Sequence, residues 1–539
     1  MHNKERYILF FVLVAAFLLR VPHLDFPAIG YHNMKENEYI SMAKNMAASG
    51  DFVSRDVYFY NAFSGKKDFG LYPQIPFVAY QVLLGYRLFG DNLWFPRLLN
   101  IILMLLSVVV IYRLAVFFLK ERIYALMVAV LVGILPLGVY CSRNLQPESG
   151  AFLFMSLGNL FLIRFMDGFK RRHLVAASCC ILMTAAYKIS FLTGFAPLAL
   201  IFPYAKYLRE KRARYAVTEA LILALPLLLL LGYLLLISQL SFSASWKGRV
   251  EPWRAFSASY WRSYASILWH YAKNENFTSL YILLFAAGTL SLWIGYKKDR
   301  SLFAGYLRAW FLVLIAYFAF FSDYLNQHSY YQLPFLGFVS FVIVYFMRQL
   351  SRYIVKLVRR PFKEHYIGAA VFAALLLISR PELKANIDSH FDVIYAGTDE
   401  VGRILGSLTS KDDRLFIYTF AQGYAPCVYA ERRCGWCGSL EELKENEKKF
   451  NVQYLVVYPY YYIYSIPTDI WHYISGSYHI NLVGFSLVKK TIIPVILVLK
   501  KGGVFDEKEF YRKNSAIELD KVYRTPSGAV PFYLMRDAN

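Results

Sequence analysis

The sequence predicts a polytopic α-helical membrane protein of about eleven transmembrane helices, followed by a C-terminal α/β domain outside the membrane. Three observations predict it. Of the 539 residues 57% are hydrophobic and 18% charged, against roughly 25% charged in a soluble globular chain. That excludes disorder, collagen and a small disulfide scaffold. The apolar residues fall in runs close to the ~20 residues that cross a bilayer core. The basic residues, 59 Lys+Arg against 37 Asp+Glu for a net charge of +22, segregate to alternate loops. In a soluble chain such a surplus would suggest nucleic acid; here sidedness accounts for it, and no nucleic-acid partner is expected.

Runs at 7–24, 98–118, 122–140, 149–166, 216–238, 278–296, 303–321, 333–347 and 366–380 read as single spans. Residues 173–205, interrupted by Lys188, Pro197 and Pro203, read as two short ones. Arg20 and Pro22 close the first run, which lacks a small-residue cleavage site and reads as an uncleaved span. Segment 73–90 is apolar but holds two Pro, two Gln and Arg87. If it crossed the membrane, every later loop would change side. With 73–90 as an interfacial helix and a cytoplasmic N-terminus, the basic clusters at 4–6, 120–122, 170–172, 206–214, 297–300 and 348–363 all face the cytoplasm. This is the positive-inside pattern, and it places the chain in the cytoplasmic (inner) membrane.

Three parts then lie on the outer side: a first loop at 25–97, a Trp- and Tyr-rich loop at 239–277, and 381–539. The expected division is a membrane domain, 1–380, and an extracytoplasmic domain, 381–539. The latter alternates β-rich runs (414–420, 454–462, 494–500) with a polar helix-like stretch at 439–450. Cys427, Cys434 and Cys437 lie in it. A disulfide with its pairing open is favoured over a redox centre, and a zinc site would lack a fourth ligand.

Polar residues gathered at one membrane face need a reason, because a charge costs about 2.5–3.5 kcal/mol at the bilayer centre. Tyr39, Met42, Ala43 and Met46 mark an amphipathic helix. Glu36 and Glu38 stand in its first turn, where they either complement the helix dipole or serve as a general base. Lys66 and Lys67 suit anionic headgroups; Asp68 beside them does not. Arg97, Arg143, Glu148 and Lys188 converge on the outer face. Each basic residue alone reads as snorkelling; together the cations suit a phosphate or pyrophosphate. His328, Tyr330 and Tyr331 form a polar-aromatic cluster. An aromatic belt explains the tyrosines but not the histidine, which binds phosphate or a metal or caps a helix.

These pieces, in this order, resemble the C-type-fold glycosyltransferases that use polyprenyl-phosphate sugars, with lipid A aminoarabinose transferases and protein O-mannosyltransferases as the nearest kinds. The resemblance covers about 7–350. It rests on Glu36, Tyr39, Ala43 and Met46; Gly50-Asp51-Phe52; Asp68 before Leu71-Tyr72-Pro73; Leu88-Phe89-Gly90 followed by Arg97; Pro136, Arg143 and Glu148; Lys188; and His328 to Pro334. It implies a sugar moved from a polyprenyl-phosphate carrier to an acceptor on the outer face, with inversion. A carboxylate of the first loop, Glu36 or Asp68, would be the base. Lys67, Arg97, Arg143 and Lys188 would hold the donor phosphate, and Tyr72, His328, Tyr330 and Tyr331 would shape the donor site. One departure matters. The family's first acid is replaced by Lys35, so the base falls to Glu36, Glu38 or Asp68. Some members hold zinc or another divalent ion at this face; no ligand set in the sequence demands one. The rival is a transporter or flippase of lipid-linked sugars, which tends to carry inverted repeats and midplane charges; neither is evident. The acceptor is expected to be a lipid, a glycan or a protein.

Overall fold

The computed structural model describes residues 3–53, 55–59, 62–63, 75–240, 254–297, 299–358, 363–419, 423–458, 466–488, 490–514 and 516–537. The membrane part opens with α1 (Asn3–Leu18), the amphipathic α2 (Asn33–Ser49) and α3 (Phe77–Phe89). α4 (Trp94–Leu119), α5 (Arg122–Ile134) and α6 (Pro136–Arg143) follow. Then come α7 (Glu148–Gly168), α8 (Arg171–Tyr187), a 3-10 turn at Ile189–Phe195, α9 (Ala196–Leu200) and α10 (Tyr204–Tyr207). α11 (Ala213–Leu240), α12 (Ala258–His270), α13 (Ser279–Ile294), α14 (Leu302–Leu325), α15 (Leu336–Val358) and α16 (Glu364–Ser389) complete the bundle.

Among the described residues six helices are long and apolar enough to cross a membrane, or up to nine if each bent pair is one span. The chain is a multi-pass membrane protein. Every run expected to span overlaps a helix, but α1 and α8, at 16 and 17 residues, are short for a crossing of ~20. The α5–α6 pair bends by 54° at Pro136, which occupies the first turn of α6 and cannot donate back to α5. α3 has 13 residues, about 20 Å at 1.5 Å per residue, well under a ~30 Å core. It packs on α2 and α4. The segment Ala258–Asn276 meets α13 at 109°, so α12 runs across the end of the bundle. Arg20 ties α1 to the break: its guanidinium donates to Ser142 Oγ (2.7 Å), Ala16 O (2.6 Å) and Gly133 O (2.7 Å).

After α16 comes a seven-stranded sheet of order β2-β1-β3-β5-β4-β7-β6. The strands are β1 (Arg414–Tyr418), β2 (Arg433–Gly435), β3 (Tyr454–Val457), β4 (Tyr478–Val488), β5 (Thr491–Lys501), β6 (Glu518–Thr525) and β7 (Gly528–Arg536). β1 pairs in parallel with β2 and β3; the other pairings are antiparallel. The parallel edge needs crossovers. α18 (Ala425–Ala430), reached after α17 (Thr398–Leu408), and α19 (Leu440–Lys449) supply them. Cys427 and Cys434 form a disulfide with Cα atoms 5.8 Å apart, and Cys437 is a buried thiol.

The sheet domain is seated on the first loop. Gly30 bridges to Val393. Ala28 N–H donates to Tyr429 Oη (2.9 Å), Cys434 N–H to Tyr58 O (2.9 Å), and Lys44 pairs with Glu431 (2.8 Å). Ile29, Met42 and Met46 share one core with Val401, Val428 and Phe532. Gly397 starts α17 at φ +83°, and a Cβ there would run into the Phe532 ring. Both the dihedral and the clash disfavour a side chain. Gly397→Ala is therefore expected to destabilise the sheet domain by about 1–3 kcal/mol, seen as faster proteolytic release of the C-terminal domain from the detergent-solubilised chain.

Candidate active site

The first turn of α2 is where the first loop, the bundle and the sheet domain meet. Glu36 is buried. It accepts from Arg97 Nε and Nη2 at 3.2 Å each and from Leu145 N–H at 3.0 Å. Arg97, fully buried at the head of α4, also donates to the carbonyls of His23 (3.4 Å), Leu24 (3.0 Å) and Phe26 (2.5 Å). Arg143 donates to Pro22 O and His23 O, both 3.2 Å, and lies 4.4 Å from the Phe391 ring centre. These three side chains form a knot that fixes residues 22–26 and the α6–α7 connection. Their charged atoms are directed into protein.

The opposite face of α2 carries Lys35 and Glu38, which pair at 2.7 Å. Toward that face come residues from four other places. Lys188, at the end of α8, pairs with Glu148 and holds its ammonium 4.5 Å from the ring centres of both Tyr330 and Tyr331. His328 stacks on Tyr330 at 5.0 Å and meets the His32 ring at 5.2 Å. Tyr31 lies 3.9 Å from His32, ring centre to ring centre, and its hydroxyl donates to Glu275. His390, just past α16, stacks on Tyr140 at 4.3 Å.

Electrostatics sort these groups. Burial, then the Lys188 and Lys35 charges, pushes His328 down to about 4; burial with minor help from Arg143 pushes His390 to about 3. His32 is held well below its ordinary value by burial, His328, His390 and Lys188. All three imidazoles are neutral at pH 7. His32 Nε2, His328 Nδ1 and Glu148 Oε2 are buried with no hydrogen-bond partner among the described residues. Such atoms are costly to leave unmade, and the two imidazole nitrogens sit beside a buried ammonium. The Lys188 ammonium, shared with Glu148, and the imidazole nitrogens in the tautomer that carries the proton can meet an anion between the aromatic walls, whereas Glu148 Oε2 can only accept.

The structure thus brings together Lys188, His328, Tyr330 and Tyr331, and places Glu36, Arg97 and Arg143 in the neighbouring knot. Lys67, Asp68 and Tyr72 lie outside the described residues. His32, Tyr31, Glu275 and His390 join the site without having been singled out in the sequence. For His32 the adjacent acidic motif was a signal; for the others there was none. No group of three or more His, Cys, Asp or Glu arranged for a metal occurs among the described residues.

Residues 73–232 match the family profile described as dolichyl-phosphate-mannose-protein mannosyltransferase. ArnT from Cupriavidus metallidurans bound to undecaprenyl phosphate aligns over 91% of this chain and 97% of its own, with a TM-score of 0.54 and 14% identity. Its apo state gives 0.56 over the same shares, also at 14% identity. The archaeal oligosaccharyltransferase AglB from Archaeoglobus fulgidus, in complex with an inhibitory peptide and a dolichol-phosphate, aligns over 92% of this chain and 74% of its own (TM-score 0.55, 12% identity). No curated protein sequence matches significantly. At these identities the likeness establishes the fold alone: the chain shares the fold of these structures, here a helical membrane bundle with a C-terminal sheet domain.

Two outcomes test this assignment of roles. Arg97→Met strands a buried carboxylate and is expected to cost about 3–5 kcal/mol, largely regained in Arg97→Met/Glu36→Leu, as read by melting of the purified protein. The depressed histidines bind protons more weakly in the folded chain. Their contribution to stability is complete above the ordinary pKa of ~6.5, falls as the pH drops, and is gone below about 4 for His328. The melting temperature should decline between pH 6.5 and 4, with a shallower slope in His328→Gln.

Proposed function

We propose that this protein is an integral-membrane glycosyltransferase that moves one sugar from a polyprenyl-phosphate carrier to an acceptor on the outer face of the cytoplasmic membrane. The observation that carries the proposal is the buried Lys188 ammonium, walled by Tyr330 and Tyr331 and flanked by the unpartnered nitrogens of His32 and His328. When the acceptor oxygen attacks the anomeric carbon, the bond to phosphate breaks. The leaving phosphate diester becomes a monoester and gains a negative charge. A fixed cation and hydrogen-bond donors in a dry site stabilise that charge more than they stabilise the bound donor, which is what accelerates the step. Direct displacement inverts the anomeric configuration.

The fold shared with ArnT and AglB, whose structures hold polyprenyl phosphates, supports a lipid-linked donor. So does the mannosyltransferase profile over 73–232. In this proposal the eleven helices span the membrane with the N-terminus inside. The bundle forms the catalytic domain, and the sheet domain covers the first loop and helps to choose the acceptor. Lys67 and Tyr72 serve the donor site together with Lys188, while Arg97 and Arg143 hold the loop in place. Translocation of an intact lipid-linked sugar is not favoured: the ionisable groups of the site gather at one end of the bundle.

The test is release of free polyprenyl phosphate from a labelled polyprenyl-phosphate sugar by the purified protein, dependent on added acceptor. Passage of the uncleaved lipid across a vesicle would refute the proposal. Lys188→Gln/Glu148→Gln removes the cation without stranding its carboxylate. Loss of a charge-assisted hydrogen bond of about 1.5–3 kcal/mol should weaken polyprenyl-phosphate binding by roughly 10–100-fold in a titration followed by tryptophan fluorescence.

A further inference from the structure

Transfer needs a group that takes the acceptor's proton, and three buried carboxylates around the site are already engaged with cations. Glu36 is held by Arg97, Glu38 by Lys35 and Glu148 by Lys188. An opposite charge at contact distance favours the carboxylate and weakens it as a base. Their side chains are 4%, 1% and 2% exposed. Glu275 differs on both counts. Both of its oxygens are 2.9 Å from the Tyr31 hydroxyl, and the Ser329 hydroxyl also bonds it. No Lys or Arg pairs with it among the described residues. The nearest cationic candidate is His270 Nε2 at 3.6 Å, on a side chain 56% exposed, whereas Glu275 itself is 10% exposed. It is thus the most reachable of the four and the one held by neutral hydroxyls.

Its placement is firm. Tyr271–Asn276 is a π-helical turn, a geometry found frequently at functional sites. Asn276 Nδ2 donates to Ser329 O (3.2 Å) and Gln332 Oε1 (2.9 Å), and the Tyr271 hydroxyl to Gln327 O (3.1 Å). The turn is therefore buckled to the loop that carries His328 and Tyr330. On its other side Tyr31 connects Glu275 to His32. Burial raises the proton affinity of the carboxyl, and the Ser329 and Tyr31 hydroxyls and His270 moderate the rise.

We infer that Glu275 is the general base of the transfer, taking the place of the acid that Lys35 replaces. This rests on the glycosyltransferase function proposed above. The Glu275 carboxylate accepts the acceptor's O–H proton as that oxygen bonds to the anomeric carbon. The carbon–oxygen bond to phosphate breaks with its electron pair, so the polyprenyl phosphate leaves as the dianion and the proton stays on Glu275. Tyr31 is a positioning residue that aims the carboxylate.

The test compares wild type with Glu275→Gln, Glu275→Asp, Tyr31→Phe and Asp68→Asn. Each full-length protein is given a panel of labelled polyprenyl-phosphate hexoses and pentoses, with cell-envelope extract as acceptor. Glu275→Gln should lower transfer by about 100-fold or more while binding undecaprenyl phosphate as tightly as wild type and melting at the same temperature. Glu275→Asp should recover part of the rate. The wild-type rate should fall on the acid side as one carboxyl protonates, and that limb should vanish in Glu275→Gln and shift in Tyr31→Phe. Transfer by Glu275→Gln within about threefold of wild type, with loss in Asp68→Asn, would overturn the assignment of the base and leave the transferase function standing. Failure of the wild type to cleave any donor in the panel would overturn both.

Discussion

Much of this molecule depends on one buried ion pair. Glu36 and Arg97 meet at 3.2 Å in two places, and the remaining capacity of each is used on backbone: Leu145 N–H on one side, three carbonyls of residues 23–26 on the other. A buried pair is seldom worth much net stability, because desolvation cancels the attraction. Its value here is positional. It locks the register of α2 against α4 and α6–α7, and so decides which residues of α2 turn toward Lys188 and which turn into protein.

The charged side chains near the α2 end therefore fall into two groups with different surroundings. Glu36, Arg97 and Arg143 bond to fixed partners and hold a loop, although Arg143 Nε is left without one among the described residues. Lys188, His32 and His328 have a cation and unpartnered nitrogens turned to one place. Glu275 stands apart from both, restrained by hydroxyls. Sorting by partner rather than by residue type sets Arg97 and Arg143, which bond to loop carbonyls, apart from Lys188, whose ammonium faces Tyr330 and Tyr331.

What could be read in advance follows the same physics. The bundle was legible because lipid demands long apolar runs, whereas segment 73–90 was ambiguous by composition and was set apart by the sidedness of the basic clusters; its helix α3 is short. In the sheet domain β1, β3 and β5 were visible as apolar β-rich runs, and α19 as a polar stretch with Ser439 before it. β6 was hidden: Glu518, Asp520, Lys521 and Arg524 give it a mostly exposed, charged look. Of the residues that the structure gathers in the candidate site, Lys188, His328, Tyr330 and Tyr331 are legible as polar residues out of place in apolar surroundings. Glu275 sits in the polar stretch Lys273-Asn274-Glu275-Asn276, where one more acid draws no notice, and its partner Tyr31 is 244 residues away. Contacts at that separation leave no local pattern.

The seating of the sheet domain on the first loop has a consequence for how the chain is made. Ala28 waits for Tyr429, 401 residues further along, and Gly30 waits for Val393. At roughly 5–20 residues per second, the loop that bears His32, Lys35 and Glu38 emerges about 20–80 seconds before its cover exists. During that interval Met42, Met46 and Ile29 have no C-terminal core to enter. The loop that bears Lys35 is thus among the last segments to acquire its final shape, and the candidate site is assembled only near the end of synthesis.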